Sequence, residues 1–320
     1  MKKFLAAVLI AGSLFAMPTA NAEVKTYEGS DEYIMSEFET IDIAKQRAKQ
    51  KAERVAQERA GVFIESKTAV NNMIVTKDEI VTMSGGILKI VDVQYQLTPL
   101  ADGKSLIVRA TVKADIDSDD ITKWLNRDSG ERSDLVAQNI ELQKAIAAQD
   151  AQIAELKRKL AEKPKDAEKF TEQFAAEDKI FLSNQQLAEA GRLYYNGELR
   201  GAINLCTKAI ELNPDNATAY SIRGAIYYRQ NDFNGAVADF NKAIALNAND
   251  YKNFYNRGLA YVKLNKFRKA EEDFSSAIQL NPNDADSYYN RAVCRQRLRN
   301  NYGARDDLNK ARALGMKTEF

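Results

Sequence analysis

Residues 217–250 read ATAYSIRGAIYYRQNDFNGAVADFNKAIALNAND, and residues 251–284 read YKNFYNRGLAYVKLNKFRKAEEDFSSAIQLNPND. Superposed, they place Gly224 on Gly258, Ala236 on Ala270, Phe240 on Phe274 and Ala243 on Ala277. The same step of 34 residues, taken outward, reaches Ala190 and Ala292, Ala202 and Ala304, and Ala209 and Ala311. Tyr220, Phe254 and Tyr288 recur at that interval too. Small residues at fixed offsets let helices approach closely, and aromatic residues fill the holes between them. Asn196-Gly197, Asn231-Asp232 and Asn265-Lys266 split units into helix pairs, while Asn213-Pro214 and Asn281-Pro282 separate units. One such pair cannot bury its own apolar face, so neighbours must stack into an all-α solenoid.

The pattern resembles the tetratricopeptide repeat family over residues 183–318, in four units: 183–216, 217–250, 251–284 and 285–318. The polar last helix, with Arg305, Asp306, Asp307, Asn309, Lys310 and Arg312, suits a terminal cap. The resemblance implies a non-catalytic module whose concave wall is formed by the first helix of each unit. The expected groove residues are Tyr194, Tyr195, Tyr228, Arg229, Lys252, Tyr255, Lys263, Tyr289 and Arg297. From Ser183 onward basic residues outnumber acidic ones 20 to 15. An aromatic, basic groove points to an extended or acidic protein or peptide partner. Some tetratricopeptide domains grip a carboxy-terminal carboxylate at five unit positions. Here those positions hold Leu187, Gly191, Ile222, Lys252 and Asn256 in one frame, and Ser221, Ala225, Asn256, Asp286 and Asn290 in the next. Either frame matches poorly, so that clamp is disfavoured.

Upstream, residues 131–162 read as heptads. One row is Leu135, Leu142, Gln149 and Leu156, and the other is Asn139, Ile146, Ile153 and Leu160. This predicts a coiled-coil helix that joins copies of the chain into a homo-oligomer; packing onto a neighbouring domain is the alternative. Lys163-Pro164-Lys165 ends it, and residues 163–182 form a linker and the start of a further helix. There Phe170 and Phe174 are expected to cover the exposed end of the first repeat.

Residues 23–127 change character to a small α+β domain. A strand lies near Lys25–Met35, and Ile41, Ala44, Ala48, Ala52, Val55 and Ala56 mark an alanine-faced helix. Val62, Ile64, Ser66, Thr68 and Val70 alternate as a strand would, and a short helix from Lys77 is stopped by Gly85-Gly86. Alternating runs on either side of Asp102-Gly103 make a hairpin. A last helix begins near Ser118 and carries Trp124. The expected order is β-α-β-α-β-β. The alanine-spaced helix, the run Val62–Ser66, the Ser84-Gly85-Gly86 stop and the hairpin resemble the amino-terminal domain of the flagellar assembly protein T family. That implies an envelope location and an assembly role. Asp115, Asp117, Asp119 and Asp120 lack the glycine and distal glutamate of an EF-hand, and read as a strand end plus a helix N-cap.

At the amino terminus Lys2-Lys3, an apolar run from Phe4 to Phe15 and Ala20-Asn21-Ala22 read as a secretory signal peptide cleaved after Ala22. That places the chain in the periplasm or outside the cell, with no transmembrane segment afterwards. The order of signal peptide, coiled coil and tetratricopeptide array resembles the periplasmic Tol–Pal-associated division coordinator family, which lacks the α+β domain. The chain has 46 basic and 45 acidic residues and no histidine. Near-neutrality argues against a nucleic-acid binder, and the missing histidine excludes Ser-His-Asp and Cys-His catalysis. Cys206 and Cys294 fall on different units and are expected to be buried and unpaired. No metal or cofactor is expected. The reading is a multidomain, exported, non-catalytic scaffold for envelope assembly. A binder of acidic cell-wall or surface polymers is the alternative, and a carboxylate-based hydrolase in residues 23–127 a third.

Overall fold

The computed structural model describes residues 23–70, 75–102, 105–127, 129–162 and 167–316. The signal peptide, Gly103, Lys163-Pro164-Lys165 and the last residues of the fourth unit lie outside that set. The amino-terminal part consists of β1 (Val24–Met35), α1 (Ile41–Val70), α2 (Lys77–Ile87), β2 (Lys89–Pro99), β3 (Leu106–Asp117) and α3 (Ser118–Leu125). Two long helices follow, α4 (Ser129–Glu162) and α5 (Ala167–Tyr195), and then seven short ones. These are α6 (Leu199–Leu212), α7 (Ala217–Arg229), α8 (Phe233–Leu246), α9 (Tyr251–Lys263), α10 (Phe267–Leu280), α11 (Ala285–Arg297) and α12 (Asn301–Ala313).

The sheet is antiparallel, in the order β1-β3-β2. One face of β3 carries Val108, Ala110, Val112, Ala114 and Ile116, all fully buried. Against them α1 sets Ala44, Ala48, Ala52, Ala56 and Ala60, also fully buried. An alanine face lets the helix lie almost on the backbone. At Gly29 in β1 a Cβ would sit 2.0 Å from the Ala52 carbonyl oxygen and 2.5 Å from the Ala56 nitrogen. Only glycine fits that crossing.

Three expectations for this part need correction. The fourth strand does not form: residues 62–70 continue α1. Ala60, Phe63, Ile64 and Thr68 are buried while Val62 is 68 % exposed, so burial follows the helix and not the alternation. Second, α2 runs through Gly85-Gly86 to Ile87. The glycines admit a neighbouring ring instead of stopping the helix: a Cβ on Gly86 would lie 2.8 Å from Tyr195 Cδ2. Third, Phe170 and Phe174 do not cap the first repeat but pack with Ile153 of α4. The aspartate cluster is as read: the Asp117 carboxylate accepts from the Asp119 N–H and caps α3.

Helices α5 to α12 form the four expected pairs, with the first pair starting inside α5. The turns within pairs place Gly197, Asn231, Asn265 and Arg299 in the left-handed region, at φ 81°, 62°, 57° and 64°. Cys206 and Cys294 are buried and free, and burial pushes both thiols up to about 12. Among the described residues no helix is long and apolar enough to cross a membrane, and no cluster of residues could hold a metal ion.

Candidate partner-binding surface

The first helices of successive units, α5, α7, α9 and α11, touch one another in turn, which puts them on the inner side of the stack. The nine expected groove residues all lie on these helices, but they are not equivalent. Arg229, Lys263 and Arg297 occupy the same position in three successive units, at the last turn of α7, α9 and α11, and all are exposed. Arg229 is anchored over the Tyr194 ring, 4.8 Å from its centroid, and Arg297 lies 5.9 Å from that of Phe267. Tyr228, Lys252, Tyr255 and Tyr289 are half-buried. Tyr228 packs edge-on against Phe233, and burial raises its phenol above the usual range. The Tyr255 hydroxyl accepts from Asn290 Nδ2 at 3.3 Å, tying the third unit to the fourth.

Tyr194 and Tyr195 differ from the rest. They are buried, 8 % and 6 % exposed. The Tyr195 ring lies against Gly86 and under the Arg127 guanidinium, 4.2 Å from its centroid. The amino-terminal part docks on the first unit here. Leu187, Gly191 and Ile222, at three of the five clamp positions, line a small cavity of about 120 Å³ together with Thr82 of α2 and Asn139 and Leu142 of α4. The inner wall of the first unit is thus already covered, the cover reaches Ile222 of α7, and the open wall lies beyond it. Nothing in the repeat pattern itself signals that cover, because its source is a different domain.

The heptad seam of α4 explains the rest of the cover. Leu142 is buried in the core that includes Leu187 and Ile222, and Ile146 packs against it. Gln149 is buried and donates from Nε2 to the Glu177 carbonyl of α5 at 2.7 Å. Asn139 Nδ2 donates to Thr82 Oγ1 at 3.2 Å. Ile153, with Leu156 and Leu160, meets Phe170 and Phe174. The Leu135 side chain lies outside those described. From Leu142 to Leu160 the row that the sequence offers to a second copy is occupied within one chain, chiefly by α5, which folds back antiparallel to α4. Four residues between two long helices leave room for little else.

A buried charged cluster pins this hairpin to the sheet domain. Arg47 of α1 is 2 % exposed, donates from Nη2 to Asp178 Oδ1 at 2.9 Å and stacks 4.6 Å above the Phe181 ring. Lys157 of α4 donates to the Ile34 carbonyl at 2.7 Å and to the Tyr33 hydroxyl at 2.9 Å, and lies 3.0 Å from Glu39 Oε2. Burial alone would raise the Glu39 carboxyl, but Lys157 and hydrogen bonds from Ser36 and Tyr33 outweigh it and leave Glu39 below its usual value. Burial raises Asp178, against the pull of Arg47.

A second periodic device escaped the sequence reading. Arg223, Arg257 and Arg291 each grip an aspartate of their own unit in bidentate fashion: Asp239, Asp273 and Asp307, at 2.6 to 2.9 Å. The remaining Nη1 of each donates back to the preceding unit, to Thr207 at 3.0 Å, Asn241 at 2.7 Å and Ser275 at 3.1 Å. The signal was present in the 34-residue spacing of all three columns. In the first unit Glu189 and Leu205 stand at the pair's positions, so the ladder begins at the second.

A family model described as tetratricopeptide repeat matches residues 251–284, and one described as TPR repeat matches residues 191–231 and 224–265. Over residues 191–284 the helix pairs match the tetratricopeptide repeat. No curated protein matches the chain. Among solved structures it is similar to the Arabidopsis OM64 TPR domain, at 29 % identity over 38 % of this chain and 98 % of that one, with a TM-score of 0.35. The first TPR of Spaghetti (RPAP3) bound to HSP90 peptide SRMEEVD is 26 % identical over 38 % of this chain and 95 % of that one, with a TM-score of 0.37. MamA is 21 % identical over 54 % and 91 %, with a TM-score of 0.39.

Proposed function

We propose that this chain is a non-catalytic adaptor, exported to the bacterial envelope, that holds an extended acidic segment of a partner protein along the inner wall of its second to fourth repeats. The observation that carries the reading is the exposed row Arg229, Lys263 and Arg297, one cation per repeat, beside the half-buried Tyr228, Tyr255 and Tyr289. Cations in the last turn of a helix also complement its dipole, but that role needs no common position facing one wall. A repeating cation suits a ligand that repeats too, a peptide with carboxylates spaced along it. Export rests on the amino-terminal leader, and the envelope role on the resemblances noted for residues 23–127 and for the domain order. This mechanism makes no use of self-association through α4, since Leu142, Gln149 and Ile153 of its seam are buried within the chain.

The test is a photo-crosslinking amino acid at Gln296, exposed in the last turn of α11. The expected result is one discrete protein adduct from the envelope, lost at about 0.5 M salt as exposed charges are screened. It is also expected to be lost when Arg229, Lys263 and Arg297 are all changed to Ala. No adduct, an adduct indifferent to the triple change, or an adduct to polysaccharide would overturn the reading.

A further inference from the structure

The two free edges of the sheet are unlike. β1 carries Lys25, Glu28, Asp31 and Glu32, the charges that keep an edge from pairing with another strand. β2 carries none between Val93 and Thr98. Its irregularity between Ile90 and Asp92 and its Pro99 bound that stretch at either end, leaving six uncharged residues between. The cover is unlike as well. α1 packs on β1 and β3; of the side chains that β2 turns to the same face Val93 packs against the core, but Ile90 is 41 % exposed, Tyr95 38 % and Leu97 40 %.

The sequence of this bare edge is symmetric. Val93-Gln94-Tyr95-Gln96-Leu97 reads apolar, Gln, Tyr, Gln, apolar in either direction. An isologous interface needs such self-complementarity, because each residue meets its own mirror position across the two-fold axis. We propose that β2 is a homodimerisation edge, at which two copies of this chain pair antiparallel about Tyr95. Val93 of one copy then faces Leu97 of the other, Gln94 faces Gln96, Asp92 faces Thr98, and the two Tyr95 side chains meet on the axis. Paired side chains stand about 5 Å apart on one face. The apolar residues fall together on the helix side, and the glutamines meet on the other, where each amide can both donate and accept. No like charges are opposed. Lys45 of α1 lies 5.7 Å from the Tyr95 centroid and remains over the ring. The product is a six-stranded sheet whose two outer edges are the charged β1 strands.

The experiment is sedimentation equilibrium on the chain from Glu23 to Phe320, with circular dichroism to confirm folding. Wild type is expected to be a monomer–dimer mixture at micromolar concentration. Gln94→Lys with Gln96→Lys opposes like charges twice per dimer and is expected to weaken association at least about tenfold. Gln94→Lys with Gln96→Glu pairs them and is expected to restore it. Tyr95→Cys is expected to give a disulfide-linked dimer on mild oxidation and Thr98→Cys not, with Cys206 and Cys294 silent because they are buried. A wild type that stays monomeric at about 100 μM overturns the proposal and leaves the edge to another protein's strand. So does a dimer that tolerates the lysine pair but is lost on Ile146→Asp with Ile153→Asp, and so does failure of Tyr95→Cys to crosslink.

Discussion

In residues 183–316 each helix packs on its neighbours in sequence, and the Arg–Asp pairs close over only 16 residues. In residues 23–125 the first strand pairs with the last, Val24 opposite Asp117, and the helix between them lies across both strands. The solenoid is therefore a sum of near-identical local terms, and damage to one unit is felt mainly by its neighbours. The sheet domain has no such subdivision. Its crossing of α1 over β1 forms whole or not at all. Trp124, the one tryptophan of the chain, is fully buried in the second region, with Arg132 of α4 over its ring, and reports on that region and its contact with α4.

The largest effect is expected from Gly29→Ala. A Cβ there meets backbone atoms of Ala52 and Ala56, which cannot rotate away, so the cost is about 3 kcal/mol or more. Trp124 emission is expected to shift to the red at room temperature, while the helical circular dichroism of the repeats persists. A variant whose Trp124 stays buried, or whose repeats melt with the sheet, removes the proposed contrast.

Asp273→Ala comes next. It leaves the Arg257 guanidinium, flanked by Asn241, without its main partner inside the stack. The expected loss is about 3 kcal/mol, centred on the third repeat and shared with the second and fourth that it packs on. Hydrogen exchange should quicken from α7 to α12 and leave Trp124 unchanged. Replacing Arg257 and Asp273 together with Leu should recover most of the loss, since a matched apolar pair carries no stranded charge. Uniform quickening from α1 to α12 would mean that the two regions unfold as one.

The same contrast governs what could be read in advance. Four copies of one unit let alanines and glycines be recognised by coincidence, so the repeats and the turns at Gly197, Asn231 and Asn265 are legible, while the turn at Arg299 carries no such signal. The single-copy domain offered no such cross-check. The segment from Val62 to Val70 satisfies a strand's alternation and a helix's spacing at once, and only the phase of the preceding alanines decides between them. Continuing Ala52, Ala56 and Ala60 by four lands on Ile64 and Thr68, which are the buried residues. In the candidate site, the basic row of the second to fourth repeats followed from unit positions alone. The burial of Tyr194 and Tyr195 did not, because it depends on α2, α3 and α4 arriving from elsewhere. The seam of α4 is legible as heptads, but its partner is not, since Phe170, Phe174 and Phe181 make only a sparse apolar row.

The joint between the regions is expected to respond less than either. Gly86→Ala presses a methyl into the Tyr195 ring, which has some freedom to move. A loss of about 1 to 3 kcal/mol is expected in docking of the sheet domain on the first repeat. Limited proteolysis should quicken around α2 and the carboxy-terminal end of α5. Unchanged protease resistance would show that the remaining contacts between the halves, those of Arg47 and Lys157 among them, suffice to hold them together.

The smallest effect is expected at Arg299, and its sign is opposite. The equivalent turn residues are Gly197, Asn231 and Asn265, two residue types that enter the left-handed region readily. Arg299 holds φ 64° with a full side chain, at a cost of about 1 kcal/mol. Arg299→Asn relieves part of that strain without the extra unfolded-state freedom that glycine brings. It gives up a cation near the carboxy-terminal end of α11, worth a few tenths of a kcal/mol. The net expectation is a gain of about 0.5 kcal/mol, with slower hydrogen exchange in α11 and α12 only. Arg299→Gly should gain less than Arg299→Asn. If neither variant protects the last pair, its turn is not the weak point of the solenoid.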